Sequence, residues 1–317
     1  MPRLIQADTD ESIELDDLVD RLESGPFDPD DEAAMIEWGP ALKKLANNRT
    51  FLGDLVVREL KQQCAGQVAA NQYSAQVILL HGGSKRFLLR ANFWPARNDS
   101  VVVNSGSDAF FYDFPHDHNF SFLTVGYVGP GYWSDYYEYD YGRVLGLPGE
   151  RVDLRFVERS QLSEGKVLLY RKHLDVHRQL PPESMSVSLN ILAMSAASEI
   201  HDQYRFDLER SEIAGRVNRS ALEPLLRLSA HLGGGNGRDL VEHFAARHPS
   251  DRIRFAALQA KAALEPDLDG RVALYREACG AGGLLGGLAE REAAAIESNR
   301  SWLETAGTVA PPGPVLN

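Results

Sequence analysis

The chain has 317 residues, 44% hydrophobic and 25% charged, which supplies a sizeable core and excludes wholesale disorder. Asp and Glu outnumber Lys and Arg by 45 to 33, and a net charge of −12 gives no field that would gather a polyphosphate, so no nucleic-acid partner is expected. No stretch holds the ~20 apolar residues that cross a bilayer, the opening MPRLIQADTDESIELDDL is acidic where an export signal is basic and then apolar, and Cys64 and Cys279 form neither a disulfide framework nor a CxxC site. A cytoplasmic location with no membrane partner is expected.

The first third reads as helical. Leu15, Leu18 and Leu22 recur at helical spacing before Gly25 and Pro26, Trp38, Leu42 and Leu45 repeat the pattern, and Thr50 is placed to cap a helix over Phe51–Gln63. From about Ser74 the period changes to two. Ala75–Leu80, Arg86–Arg90, Val101–Val103 and Ala109–Tyr112 are short, β-branched or aromatic, and separated by Gly, Asn, Asp and Pro. The same pattern continues through His118–Val125, Tyr136–Tyr141, Val152–Val157, Lys166–Tyr170, Val176–Gln179 and Met185–Leu192. Strands spaced this closely, with no helices between them, predict an antiparallel sandwich or barrel.

After about Asp207 helical periodicity returns in Leu222–Leu232, Arg238–Arg247, Arg252–Leu264, Arg271–Cys279 and Leu288–Leu303, with Ser250 and Asp251 as a capping pair. Gly233–Gly237 lacks the GK[ST] ending of a phosphate loop and reads as a flexible turn between helices. The fold class expected is α+β. Residues 1–70 form a helical segment, 71–205 a central antiparallel barrel, 206–305 a helical domain and 306–317 a disordered tail.

His116 and His118 form an HxH pair, and residues two apart on a strand face the same side, so both imidazoles would project into one interior within reach of a single transition metal. Phe120 and Phe122 continue that face as an apolar wall. His173 and His177 share parity as candidates for a third ligand, and the turn Lys172–Asp175 favours His177 inside the barrel and His173 at its rim. Glu138, amid the tyrosines of Tyr136–Asp140, is the candidate carboxylate, with Asp140 as its rival. Arg86 and Arg90, four apart on one strand, are candidates to hold a substrate carboxylate, and Tyr112, Tyr132 and Tyr136 to frame a pocket or donate a hydroxyl. No GxSxG elbow or Ser-His-Asp order supports hydrolysis.

Over roughly residues 75–195 these motifs resemble the cupin superfamily. Pro115–His118 matches the HxH of its first motif, and Gly165 through His177 and Asn190 matches a stretched second motif. The Glu that usually follows HxH is replaced here by Phe122 and Leu123, and the Gly126–Tyr132 turn precedes the acidic strand. The resemblance implies a cupin-type barrel holding Fe(II), or alternatively Mn, Ni or Zn, through His116, His118 and His177, with Glu138 as a fourth ligand or a base. It also implies a small-molecule substrate, O2 as co-substrate and a homodimer paired through sheet edges. The expected activity is a non-haem iron oxygenase independent of 2-oxoglutarate, acting on a small polar, amino-acid-like metabolite. The alternatives are a redox-neutral isomerase, epimerase or lyase, and a ligand-binding regulatory protein.

Overall fold

A computed structural model describes residues 1–71, 73 and 76–308. The strand expected to start at Ala75 and the tail after residue 308 therefore lie partly or wholly outside the described residues. The chain divides into two compact units, one comprising residues 1–144 and 151–217, the other residues 145–150 and 218 onward.

The first unit opens with a strand, β1 (Arg3–Ile5), followed by five helices, α1 (Leu15–Ser24), α2 (Glu32–Ile36), α3 (Gly39–Asn47), α4 (Phe51–Lys61) and α5 (Ala65–Ala70). Thr50 does precede α4, but its hydroxyl makes no cap. Asn48 supplies the cap, its Oδ1 accepting from the backbone N–H of Thr50 and Phe51.

The strands that follow are β2 (Val77–His81), β3 (Phe87–Trp94), β4 (Phe122–Val128), β5 (Trp133–Glu138), β6 (Arg155–Gln161), β7 (Val167–Tyr170), β8 (Asp175–Leu180), β9 (Ser186–Ala193), β10 (Tyr204–Asp207) and β11 (Glu212–Arg216), with the short helix α6 (Ser100–Ser105) between β3 and β4. They form a six-stranded sheet in the order β1-β7-β4-β9-β3-β2, a three-stranded sheet β6-β5-β8 and a hairpin β10-β11, and every strand pair is antiparallel. Mixed helices and antiparallel sheets are as expected. The closed barrel is not: among the described residues no ladder of hydrogen bonds joins the six-stranded sheet to the three-stranded one.

Alternation explains how the six-stranded sheet is used on both faces. In β9 the odd positions Val187, Leu189, Ile191 and Ala193 join Phe87, Leu89 and Ala91 of β3 and Leu123 and Val125 of β4 in one core with Leu18, Leu22, Met35, Leu42 and Leu45 of the N-terminal helices. The even positions of the same strands face the other way. There Trp94, Phe122 and Leu192 pack with Tyr132, Tyr136 and Tyr170 in a second, aromatic core. Strands buried on both faces read as near-continuous apolar runs, and a polar residue on such a strand faces a protein interior. Gly131, in the connection from β4 to β5, has φ +87°, and a Cβ there would lie 1.9 Å from the Leu162 carbonyl oxygen. Only glycine fits that crossing.

Three local expectations fail for identifiable reasons. Val101–Val103 lies in α6, where Val102 is buried and Val101 and Val103 are exposed, and Ala109–Tyr112 begins in a 3₁₀ turn, so both runs serve a short helical excursion. Arg86 precedes the first residue of β3 and does not share the face of Arg90. Its guanidinium donates to the carbonyls of Leu22 (2.8 Å), Glu23 (2.6 Å), Gly25 (3.2 Å) and Phe27 (3.2 Å), satisfying the C-terminus of α1 and the turn after it. Arg86 is therefore a clamp on α1 and not a substrate ligand. Arg86→Ala should cost about 2–3 kcal/mol, from hydrogen bonds to a charged donor, read as a lower urea midpoint at unchanged m.

The second unit carries α7 (Leu222–Leu232), α8 (Gly234–Arg247), α9 (Asp251–Ala262), α10 (Leu268–Cys279), α11 (Gly283–Ser298) and α12 (Arg300–Thr308). The glycines after Leu232 are not a free turn but the first turn of α8. A Cβ on Gly237 would lie 2.3 Å from the Ser229 carbonyl oxygen, so glycine lets α8 cross close over the end of α7. No described helix is long and apolar enough to cross a membrane.

Candidate metal centre

His177 sits in the middle of β8, opposite Tyr136 of β5. The segment carrying the HxH pair is not a regular strand. His116 makes a single rung on each side, exchanging backbone hydrogen bonds with His177 (3.1 and 2.9 Å) and bridging to Arg205 of β10. Asp117 points away from the two imidazoles and pins the segment. It accepts from the Tyr139 hydroxyl (2.6 Å) and from the Tyr204 backbone N–H (2.6 Å), while its own N–H donates to the Tyr204 carbonyl (3.1 Å). Asn119 holds the far side by donating to the carbonyls of Ser198 and His201.

The result is that three imidazoles converge. His118 Nε2 lies 3.0 Å from His177 Nε2, which lies 3.2 Å from His116 Nε2, and all three residues are buried. Among the described residues this is the one set of three or more potential ligands within reach of a common ion. His116 Nδ1 meets the Phe114 carbonyl at 2.7 Å, so Nδ1 carries the proton and the Nε2 lone pair is free. Ligands about 2.0–2.1 Å from one metal stand roughly 3.0–3.4 Å apart in tetrahedral or octahedral geometry, which the observed spacing fits. Lone pairs facing one another in a buried site repel unless a cation or proton lies between them, so the donor set suits a metal ion.

Burial pushes His116 down to about 4, and burial together with the neighbouring imidazoles pushes His118 well below the ordinary value; burial does the same to His177, with His116 adding to it. All three are therefore neutral at physiological pH, the form that binds metal. In the unfolded chain they take protons near pH 6.5. Between there and about pH 4 these imidazoles, and His173 with them, bind more protons in the unfolded state; burial raises Asp117 to about 7, which works the other way, but four imidazoles outweigh one carboxyl, so stability of the metal-free protein should fall as pH falls across that window. Urea midpoints at pH 7.5 and 5.5 measure it, and a higher midpoint at pH 5.5 would contradict it.

The imidazoles open onto a cavity of about 380 Å³ between the sheets. Its apolar wall includes Trp94, Phe120, Phe122 and Tyr132, and its polar lining Arg90, Asn92, Gln179, Asn190 and Gln203. No Asp or Glu lines it among the described residues.

Of the residues singled out from sequence, His116, His118, His177, Arg90 and Tyr132 meet at this cavity. Tyr136 lies just behind it, its hydroxyl 2.8 Å from that of Tyr170, and burial pushes its phenol up to about 12. Tyr112 is buried with its hydroxyl donated to the Pro95 carbonyl (2.7 Å), and neither it nor Tyr136 lines the cavity. His173 stacks on Tyr141 at 4.0 Å, away from the other three histidines.

Glu138 is not with them either. It ends β5 opposite Asp175, ion-paired with Arg171, Arg155 and the N-terminal ammonium. Burial works to raise its pKa, but the ammonium and Arg171 outweigh it and hold the carboxyl at about 2. Asp140 is exposed and caps a 3₁₀ turn. Neither carboxylate reaches the imidazoles, so the expected fourth ligand is absent from the described site.

Asn92 and Gln179 were not singled out from sequence. Each was available from parity, Asn92 being two residues after Arg90 on β3 and Gln179 two after His177 on β8.

No family model matches the sequence, and no curated protein matches it. Solved structures similar to this chain include a hydroquinone 1,2-dioxygenase from Sphingomonas sp. TTNP3, at 10% identity and TM-score 0.27 over 41% of this chain and 72% of that one. A cupin domain from Bordetella pertussis Tohama I matches at 12% identity and TM-score 0.23, over 39% of this chain and 98% of that one. A DMSP lyase from Ruegeria pomeroyi DSS-3 matches at 12% identity and TM-score 0.24, over 62% and 78%. Likenesses this distant carry no argument about chemistry, which rests on the residues described above.

Proposed function

We propose that the chain is a cupin-type metalloenzyme whose centre is His116, His118 and His177, and that it is a non-haem Fe(II) oxygenase working without 2-oxoglutarate on a small polar metabolite. The observation that carries the metal reading is the convergence of three buried, neutral imidazoles on one point at the wall of a cavity. Bound there, iron would supply the redox chemistry that activates dioxygen beside the substrate. The protein's own part is positional: the Asp117 anchor fixes the HxH segment, the Phe114 carbonyl fixes the His116 tautomer, and the aromatic wall excludes water.

What favours oxidation over a redox-neutral proton transfer is the make-up of the cavity. A lyase or isomerase needs a group poised to take a proton near neutral pH. Among the described residues the lining holds no carboxylate, Glu138 is held in an ion-pair cluster elsewhere, and burial raises the Tyr132 phenol.

The test is oxygen uptake by protein reconstituted with Fe(II), screened against small carboxylic and amino acids. Uptake that depends on both iron and substrate, and that is lost in His177→Ala, supports the reading. Substrate conversion that proceeds equally without oxygen overturns it in favour of the redox-neutral alternative.

A further inference from the structure

Among the described residues the cavity lining holds a cation, Arg90, and no anion. Arg90 lies on β3 with its Nε buried and unbonded, and the groups that act on it electrostatically are the phenols Tyr73, which also hydrogen-bonds to it, and Tyr132, not a carboxylate. The Tyr73 ring covers one side of the guanidinium, 4.9 Å from its central carbon. A half-buried guanidinium whose Nε is cut off from water and has no counter-charge is unfavourable unless something enters to pair with it.

Strand register puts further unbonded groups beside it. Arg90 is directly opposite Asn190 of β9, which is opposite Thr124 of β4, so the three form one row across the sheet on the face away from the N-terminal helices. Asn190 is 3% exposed, and its Nδ2 has no partner, nor has the Thr124 hydroxyl. Two unpaired acceptors, Asn92 Oδ1 and Gln179 Oε1, belong to side chains lining the same cavity. Buried polar atoms are seldom left without partners, and such a set on one cavity wall is the complement of a ligand.

We propose that this cavity takes an aromatic carboxylic acid that also carries a hydroxyl or amino group, its carboxylate held by Arg90 and Asn190. The ring lies against Trp94, Tyr132 and Phe122, and Asn92 and Gln179 accept from the hydroxyl or amine. The inference deepens the metalloenzyme reading and rests on it for the second positive charge, because three neutral imidazoles leave a bound dication uncompensated and reinforce the demand for an anion.

The test is calorimetric binding of mandelate, which carries all three features, against mandelamide, its uncharged counterpart. Both are titrated into the full-length protein as purified and after EDTA treatment. Mandelate should bind at least ~10-fold more tightly than mandelamide, and Arg90→Gln should bring the two close together. Asn190→Asp, nearly isosteric, places a carboxylate beside Arg90 and should reverse the preference, which guards against an Arg90 variant that fails to fold. Equal binding of the two compounds to the wild type, or a carboxylate preference unchanged in both variants, overturns the proposal. If the preference survives in protein that binds no metal, the substrate class stands and the metal reading falls. If metal binds but no preference is seen, the reverse holds.

Discussion

His177→Ala should lower metal affinity by more than ~100-fold, while Glu138→Gln leaves it unchanged. Losing an outer residue that merely orients a ligand typically costs 10–100-fold, and His177 is itself one of three converging ligands, its Nε2 within 3.2 Å of both others. Glu138 has the strand parity that would send it inward, but its partners are Arg171, Arg155 and the N-terminal ammonium. Competition titrations against a chromophoric chelator read both variants, and a large loss in Glu138→Gln would return that carboxylate to the centre.

Arg171→Met should destabilise the fold by about 2–3 kcal/mol, below the ~3–5 kcal/mol of a wholly broken buried pair, because Asp175 loses its bidentate partner and keeps only the N-terminal ammonium, 3.2 Å away. Asp175 is 1% exposed, and Arg171 contacts both of its carboxylate oxygens, at 3.0 and 2.6 Å, as well as Glu138 (2.9 Å). These partners raise the Arg171 pKa. Replacing Arg171 and Asp175 together by apolar residues of similar volume should recover much of the loss. Chemical denaturation of the single and double variants separates the two cases: equal losses would mean that the charge left on Asp175 is not the cause.

These substitutions mark what the sequence pattern reveals and where it stops. The change from helical to two-residue periodicity ahead of β2 and the helical pattern from Leu222 onward are visible because amphipathic patterns reflect the layer each element packs against, whereas the hairpin of β10 and β11, which carries the strands past Asp207, is not. The histidines stand out because an HxH beside phenylalanines is an unusual thing to bury. Parity, however, holds only inside a strand. Arg86 and Arg90 look equivalent in the sequence, yet Arg86 precedes β3 and turns to the carbonyls at the end of α1, while Arg90 lies within the strand and faces the cavity. Glu138 fails for a related reason, since it sits at the end of β5, where Arg171, outside any strand, reaches it. No spacing in the sequence places Arg171 there.

Register is the other hidden quantity. The row of Arg90, Asn190 and Thr124 comes from three strands separated by long stretches of chain, and only the pairing of β3, β9 and β4 makes them neighbours. The valine run at 101–103 misleads in the opposite direction, because β-branched propensity is overridden in the long connection from β3 to β4, which needs one buried contact there and not a ladder.

The central claim is that His116, His118 and His177 hold one metal ion. Its most direct test is elemental analysis of the protein purified without an affinity nickel column or chelator, beside the His116→Ala/His118→Ala double variant. The account predicts close to one iron per chain in the wild type and none in the variant; a wild type that carries no metal and takes up none on reconstitution would contradict it.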